Sequence, residues 1–234
     1  ALENIHANVE ELLFLARDFH HDANSEFRNQ LFKAVNPKDL TSLHTLYQRE
    51  YQKIPFSKDK QEHILNSILI KSYMKAIDET VALTSEEERV LHDYLFSVEI
   101  WGLYELSFFS SCSPLLSVQL LTKYTREMLR KSDFLQGVGK NRNMMHTLLL
   151  NAFMACIEVD DFTNALYFKK QIEKNFFEEN ETYFRIVYLW AEGLLDSKQG
   201  RAEEGQRKME DAIRIFEMIG CSKSADYYRS AMEC

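Results

Sequence analysis

Glycine and proline are scarce in this sequence. Its 234 residues include only 7 glycines and 3 prolines. That is about 3% glycine, less than half of the roughly 7% found in an average protein. Sheet proteins and phosphate-binding loops need glycine for turns with positive φ, so its scarcity predicts an all-helical chain with short connections. The hydrophobic content of 45% is enough for a substantial core.

Long apolar runs and a disulfide pattern are also missing. The longest apolar stretch, HTLLLNAFMACI, is interrupted by Asn151 and is too short to span a bilayer. No segment has the features of a signal peptide. None of the cysteines belongs to a CxxC pair, and they lie in or beside apolar helical segments: Cys112, Cys156, Cys221 and Cys234. They suit free thiols in a reducing cytoplasm better than a disulfide framework.

The chain has no excess of basic residues. Its net charge is −8 and its pI is about 5.5. A domain that binds DNA by itself normally has a basic face that neutralises phosphates. The clusters KYTREMLRK (123–131) and FKKQIEK (168–174) are basic but local, which is typical of solvated helix faces. This sequence is therefore not expected to hold DNA unaided.

Motifs of catalysis and cofactor binding are absent. The sequence has no HExxH, GxSxG, Walker or Rossmann glycine pattern. His20, His21 and Asp22 are adjacent, but neighbouring side chains on a helix point about 100° apart, so a shared metal ion would need a bent chain end. Cys156 and His146 are roughly 15 Å apart along one predicted helix, too far for a nucleophile and its base. We expect no enzyme, no cofactor and no metal site.

Apolar residues recur at intervals of three and four almost throughout the chain, which indicates about ten or eleven helices. Their lengths and short loops are typical of stacked helix–turn–helix repeats. No linker rich in proline, glycine or serine divides them, so one continuous domain over 1–234 is expected. The predicted segments are 8–19, 24–35, one that starts near Pro37, 58–78, 84–99, 115–131, 140–159, 162–176, 181–199, 202–219 and 223–234.

The C-terminal helices carry a tetratricopeptide-like pattern. Gly193, Gly205, Met209 and Ala212 fall at the offsets where that motif has small, small, large and small residues. Small residues there allow two helices to approach closely. Ala165 corresponds to Gly205 one repeat earlier, 40 residues away rather than the usual 34 or so. The repeat is therefore irregular.

Residues 90–111 carry a family resemblance. The run DYLFSVEIWGLYELSFFSSC, with TVALTSEEERVLHDYLF before it, resembles the C-terminal region of the Rgg/GadR/MutR transcriptional regulators. The segments LLTKYTREML, the helix of Asn151 and ENETYFRIVYLWAEGLL continue the resemblance in order. That family is similar to the other cytoplasmic peptide receptors of bacteria. The resemblance implies an all-α, tetratricopeptide-like right-handed solenoid of antiparallel helix pairs, which dimerises and holds a short signalling peptide.

The same resemblance implies a division of labour within a longer protein. In the family an N-terminal helix-turn-helix domain binds DNA, and LENIHANVEELLFL (2–15) resembles the end of such a domain followed by the first solenoid helix. We therefore expect the ligand-sensing domain of a cytoplasmic quorum-sensing regulator, which is a homodimer, contacts DNA only through the missing domain and does not enter a membrane. Two alternatives remain: a helical scaffold for a protein partner, and a Rap-like effector that binds a response regulator.

Asn151 is the main candidate for contact with the peptide. It sits alone among apolar residues, where an unpaired amide costs about 1–3 kcal/mol, and one amide group can both donate to and accept from a peptide backbone. The resemblance implies such a clamp; the alternative is a bond to a neighbouring helix carbonyl. Further candidates are Arg126 and Arg142 for acidic peptide groups, Tyr183, Tyr188 and Trp190 for apolar pockets, and Phe108, Phe109 and Ser111 for the mouth of the groove.

Two other apolar segments require an explanation. The aromatic residues of 93–111 cannot share one helical stripe, so we interpret this segment as two helices, with Trp101 in the core and Gly102 at a close approach or at the break. In the last helix, one apolar stripe is expected either to form the dimer contact or to seal the last repeat. Its residues are Ala225, Tyr227, Tyr228 and Met232.

Overall fold

The computed structural model describes residues 23–35, 39–131, 139–174 and 177–232. These residues form α-helices joined by short turns and contain no strand, which confirms the all-helical prediction. No helix within these ranges is both long enough and apolar enough to cross a membrane. The predicted helix at 8–19, the segment 2–15 and the cluster of His20, His21 and Asp22 lie outside the described residues.

Eleven α-helices are present in the described residues, together with two 3₁₀ turns, Ile54–Phe56 and Ser113–Leu115. The helices are α1 (Ala23–Val35), α2 (Leu40–Lys53), α3 (Lys60–Lys75), α4 (Ser85–Ser97), α5 (Leu103–Cys112), α6 (Val118–Lys131), α7 (Gly139–Glu158), α8 (Phe162–Lys174), α9 (Thr182–Lys198), α10 (Ala202–Met218) and α11 (Ser222–Ser230).

The chain divides into two compact units, Ala1–His92 and Asp93–Cys234, with the division inside α4. In the first unit α2 packs against α3. A buried ion pair joins α3 to the start of α4, because Lys71 Nζ lies 2.6 Å from Glu87 Oε2. The side chain of Glu87 also accepts the backbone N–H of Thr84 at 2.7 Å, and Thr84 Oγ1 accepts that of Glu87 at 3.3 Å. This reciprocal pair is the capping box that the glutamate-rich start of α4 makes available.

The aromatic segment 93–111 is a pair of helices, as predicted. α4 ends at Ser97, α5 begins at Leu103, and Gly102 is the extended residue that precedes α5. Trp101 is completely buried, with its ring centroid 5.4 Å from that of Phe109. The prediction that Trp101 belongs to the core is therefore confirmed, and Gly102 marks the break between the helices.

α7 is the central helix of the second unit. It contacts α5, α6, α8 and α9, so that other helices cover most of its circumference. α9 packs in turn against α10, and α10 against α11. The accessible residues of α7 lie mainly along one side of the helix.

α9 and α10 approach each other at two glycines. A Cβ atom on Gly205 would lie 2.4 Å from the carbonyl oxygen of Gly193 and 2.6 Å from the backbone nitrogen of Ser197. A Cβ on Gly193 would lie 2.8 Å from Met209 Cγ. Residues later in α9 thus face residues earlier in α10, which makes the pair antiparallel. The prediction that small residues at 193 and 205 allow two helices to approach closely is confirmed by this contact.

Three helices of the second unit end in the same turn. α7, α9 and α10 are followed by residues with positive φ, Asp160 (59°), Gly200 (87°) and Gly220 (78°). The next residue donates its N–H five residues back in each case, for example from Arg201 to Asp196 at 2.9 Å. This is the Schellman motif, which satisfies carbonyls left open at a helix end. It reverses the chain within two or three residues and so produces the stacked pairs.

Candidate functional site

One accessible face of α7 carries a run of uncharged residues, with the exposed Lys140 and Glu158 at its two ends. The run consists of Asn143, Thr147, Asn151 and Met154, which follow one another at intervals of four, four and three and are exposed or half-buried. The other faces of α7 are covered by α5, α6, α8 and α9. We call these four residues the α7 stripe. Three of them have short polar side chains that can donate or accept hydrogen bonds.

Asn151 lies in the middle of the α7 stripe. Its side chain is half-buried and makes no hydrogen bond with the residues that the structure describes. The expected alternative, a bond to the carbonyl of a neighbouring helix, is not found among them. Directly behind it, Leu150 and Ala152 are buried. Asn151 therefore offers a donor and an acceptor on an apolar support.

α5, on one side of α7, also carries small polar residues. Ser107 and Ser111 are half-buried and lie one helical turn apart. On the other side of α7, Arg185 of α9 is half-buried and donates to the carbonyl oxygens of Phe177 and Glu178, at 2.7 and 3.1 Å. The predicted residue Ser111 is therefore accessible, whereas Arg185 holds the loop before its own helix.

Phe108 and Phe109, which were expected at the mouth of a groove, lie in the core. Both side chains are at most 2% exposed. The Phe109 ring packs between those of Trp101 and Tyr124, and the Phe108 ring lies edge-on to Tyr94 at 5.4 Å. The expectation of an exposed position fails because α5 turns these two residues toward the interior. They support the face from behind.

Tyr188 and Trp190 are buried in the same way. The hydroxyl of Tyr188 donates to Glu173 Oε1 at 3.2 Å, and its ring packs against Phe153 and Phe177. Burial raises the pKa of Tyr188, so the hydroxyl keeps its proton. Trp190 is 3% exposed and its ring lies 5.2 Å from that of Tyr228. These two predicted pocket residues therefore bind α9 to its neighbours.

Arg126 is exposed on α6 and contacts α8. Its Nη2 donates to Asn164 Oδ1 at 2.6 Å, and its guanidinium carbon lies 3.9 Å from the centre of the Tyr167 ring. Asn164 in turn donates its side-chain N–H to Asp161 Oδ2 at 2.6 Å. Asp161 has a pKa below its ordinary value, chiefly because of this hydrogen bond. The predicted Arg126 is thus held by α8 while one side stays open to solvent.

Arg142 is neutralised within the chain. Its Nε and Nη2 donate to the two carboxylate oxygens of Glu181 at 2.9 and 3.1 Å, and Nη1 lies 3.2 Å from Glu178 Oε1. Burial raises the pKa of Glu181, but hydrogen bonds from Arg142 and from the backbone N–H of Glu178 outweigh it, so the pKa is low. His146 Nε2 lies 3.5 Å from Glu181, and burial lowers the pKa of this histidine. Arg142 therefore fastens the loop before α9 onto α7.

The predicted residues near the C-terminus fall into two groups. Ala225 and Tyr228 are buried, and the Tyr228 ring stacks on Phe216 at 5.6 Å. Tyr183 is half exposed, and its ring lies 5.6 Å from that of Phe216. Tyr227 is 68% exposed. Met232 is half-buried. Ala225 and Tyr228 thus hold the last helix onto the protein, whereas Tyr183, Tyr227 and Met232 keep part of their surface exposed.

The described thiols and acidic groups offer little for catalysis. Burial raises the pKa of Cys112 and that of Cys156, so both thiols stay protonated and are poor nucleophiles. Cys156 Sγ lies 3.4 Å from Thr122 Oγ1. Within the described ranges, no three histidine, cysteine or acidic side chains come together as metal ligands.

Asn143 and Thr147 are accessible residues that sequence reasoning missed. Their spacing from Asn151, two helical turns and one helical turn, is visible in the sequence and could have indicated a common face. Glu181, the acid that holds Arg142, was missed as well. It lies 39 residues away, and no local pattern connects two such positions.

Comparison with known protein families shows to which family this chain belongs. A family sequence model described as the C-terminal domain of the HTH-type transcriptional regulator Rgg matches residues 44–230. This match covers most of the chain and both units. The chain belongs to the Rgg family.

Solved structures agree with this Rgg assignment. Two crystal structures of the SHP pheromone receptor Rgg2 of Streptococcus dysgalactiae, one of them a cysteine-to-serine variant, are 25% identical in sequence. They align with 99% of this chain and 81% of theirs, at TM-scores of 0.83 and 0.82. A crystal structure of a Listeria monocytogenes EGD-e protein, 19% identical, aligns with 99% of this chain and 80% of its own at a TM-score of 0.76. Because the Listeria protein is only 19% identical, its similarity to this chain shows a shared fold alone.

Proposed function

We propose that this Rgg domain is the peptide-sensing part of a cytoplasmic quorum-sensing transcriptional regulator. It binds a short signalling peptide in extended form along the α7 stripe. The observation that carries the proposal is Asn151, an accessible amide without a partner among the described residues, in the centre of that stripe. The Rgg2 relative from Streptococcus is named as a pheromone receptor, which supports a peptide as the ligand.

The chemistry of the α7 stripe suits a peptide backbone. An extended peptide has unpaired N–H and C=O groups, and an asparagine side chain can satisfy one of each. Asn143 and Thr147 extend this capacity over two further helical turns. In a chain with 27% charged residues, none of these three side chains is charged. The stripe therefore recognises the main chain of its ligand rather than charges on its side chains.

The remaining candidates take supporting roles in this proposal. Ser111 of α5 contributes a polar edge, and Arg126 keeps an exposed side that can meet an acidic peptide group. Arg142 contributes indirectly, because it is paired with Glu181 and fixes the loop before α9. The aromatic residues hold the helices that present the stripe: Phe108, Phe109, Tyr183, Tyr188 and Trp190.

We also propose that the domain forms a homodimer through the surface beside α11. Tyr227 is 68% exposed, and Met218 and Ile219, at the end of α10, are 79% and 56% exposed. Large apolar side chains that are exposed to this extent are typical of protein contacts. Met232 adds to this surface, whereas Ala225 and Tyr228 support it from within. DNA would be contacted through a separate helix-turn-helix domain, and the proposal includes no catalytic step.

Fluorescence polarisation with labelled peptides tests the proposal. The probes are short hydrophobic peptides encoded beside the gene, each paired with a version of the same composition in scrambled order. We expect saturable binding of one native peptide at least about tenfold tighter than its scrambled version, equivalent to about 1.4 kcal/mol. Equal affinity for native and scrambled peptides across the set would contradict a sensing role.

A further inference from the structure

The first unit contains a pocket that is separate from the proposed peptide site. Its volume is about 500 Å³, and its walls come from α1, α2, the Ile54–Phe56 turn and the start of α3. Small-molecule sites in proteins generally enclose about 300–1,000 Å³. The pocket is therefore large enough for a ligand of its own. Nothing in the proposed peptide function uses it.

A buried carboxylate organises one wall of this pocket. Glu50 is 5% exposed and accepts hydrogen bonds from Lys53 Nζ at 2.5 Å, His63 Nδ1 at 2.9 Å and Asn66 Nδ2 at 3.3 Å. Burial raises the pKa of Glu50, but these donors together bring it below its ordinary value. The ionised carboxylate can only accept, so His63 Nδ1 donates to it.

The side chains that line the pocket carry a net positive charge. Arg49 is exposed and has no partner among the described residues, and Lys53 keeps part of its ammonium open to solvent. Glu50 is the only acid among the described residues of the lining. Two cations against one carboxylate leave a positive pocket in a chain whose net charge is −8. An anionic group is the chemistry that matches Arg49 and Lys53.

Phe56 gives the pocket an aromatic wall that faces solvent. It is 90% exposed, more than any other large apolar side chain in the described residues. Pro55 fixes the backbone before it, and the backbone N–H of Ser57 donates to the carbonyl of Lys53 at 3.0 Å. The backbone that carries the ring is therefore held in place, and the ring itself is left uncovered. A planar ligand would give it a partner.

We propose that this pocket binds a small aromatic carboxylate, with the carboxylate between Arg49 and Lys53 and the ring against Phe56. The cations come from α2 and the aromatic ring from the turn that follows it, so both parts of the ligand are recognised within one short segment. The hydrogen bonds of Lys53 and His63 to Glu50 keep the wall in place before the ligand arrives.

Isothermal titration calorimetry with benzoate tests the charge requirement. We expect wild-type protein to bind benzoate with a millimolar Kd, and Arg49→Gln to weaken it by about tenfold. Arg207→Gln is the matched control, since Arg207 is exposed on α10 in the second unit, and it should leave the affinity unchanged. Benzamide, a neutral molecule of the same shape, should bind about tenfold more weakly than benzoate.

Phe56→Ser tests the aromatic wall. It should weaken benzoate binding by about fivefold, whereas Phe96→Ser, at a similarly exposed phenylalanine of the second unit, should have no effect. Both positions are on the surface, so circular dichroism should show unchanged folding. Absence of benzoate binding at millimolar concentration, equal binding of benzamide, or full binding by Arg49→Gln would each overturn the proposal.

Discussion

Individual polar side chains in the second unit differ mainly in whether the chain itself has already satisfied them. Arg142 and Asp196 are each held by two partners, while Asn151 in the same unit has none among the described residues. A satisfied charge stabilises the fold, and an accessible unsatisfied amide is available to a ligand. The structure therefore separates these residues by role, although all three are polar positions within or beside apolar helices.

Asp196 provides a stability prediction at this scale. Its carboxylate lies 2.5 Å from Arg201 Nη2 and 2.6 Å from Lys208 Nζ. Asp196→Asn should therefore lower the free energy of unfolding at neutral pH by about 2 kcal/mol. Asp211→Asn is the control, at a half-buried aspartate of α10 that lies 3.5 Å from Arg214 Nη1, and should change it by less than about 0.5 kcal/mol. Urea unfolding followed by circular dichroism measures both.

The two ion pairs of Asp196, with Arg201 and Lys208, also predict how the stability of the protein depends on pH. Burial raises the pKa of Asp196, but the hydrogen bonds from Lys208 and Arg201 outweigh burial and bring it below the ordinary value of 3.8. The stabilisation is therefore present above pH 3.8 and is lost as the pH falls through the lower folded-state pKa. In Asp196→Asn, the free energy of unfolding should depend less on pH in this acid range. An unchanged acid profile would contradict the assignment.

At the scale of helices, close approach and chain reversal define the second unit. Gly193 and Gly205 bring α9 and α10 together, and the positive-φ residues Asp160, Gly200 and Gly220 end three helices in the same way. The turns after Asp160 and Gly200 are 40 residues apart, equal to the separation of Ala165 and Gly205. The irregular repeat seen in the sequence thus corresponds to a structural repeat.

Gly205→Ala tests the contact between α9 and α10. Alanine should favour the helix by up to about 1 kcal/mol, but its Cβ would meet backbone atoms at 2.4 and 2.6 Å, which cannot be relieved by a side-chain movement. We expect a net loss of about 2 kcal/mol in the free energy of unfolding. Gln206→Ala, at the next and exposed position, should be neutral or slightly stabilising. A stabilised Gly205→Ala protein would show that the helices are not in contact there.

The sequence predicted where the helices lie, but it did not predict which of their residues face the core. The predicted segments 162–176 and 202–219 correspond to α8 at 162–174 and α10 at 202–218, because apolar spacing and turn residues act locally. Whether a residue faces the core depends on neighbours distant in sequence. Phe108 and Phe109 were expected at a surface for this reason, and the pairing of Arg142 with Glu181 could not be foreseen. Asn151 was recognisable because it was polar in an apolar run.

At the scale of the whole molecule, the exposed apolar surface beside α11 predicts self-association. Tyr227→Ser should raise the dissociation constant of the dimer at least about tenfold, as measured by sedimentation equilibrium, because it removes the exposed ring. Lys223→Ser, on the same helix, is the control and should leave it unchanged. Neither variant should alter the melting of the monomer. A wild-type protein that is monomeric at micromolar concentration would contradict the dimer.

The most direct test of the central claim is the affinity of Asn151→Ala for the peptide selected by polarisation. Asn180→Ala is the matched control, because Asn180 is an exposed asparagine in the turn before α9. We expect Asn151→Ala to weaken binding at least about tenfold, or about 1.4 kcal/mol, with unchanged melting, and Asn180→Ala to bind like the wild type. A loss below tenfold for Asn151→Ala, or an equal loss in both variants, would contradict the role of Asn151 as the peptide clamp.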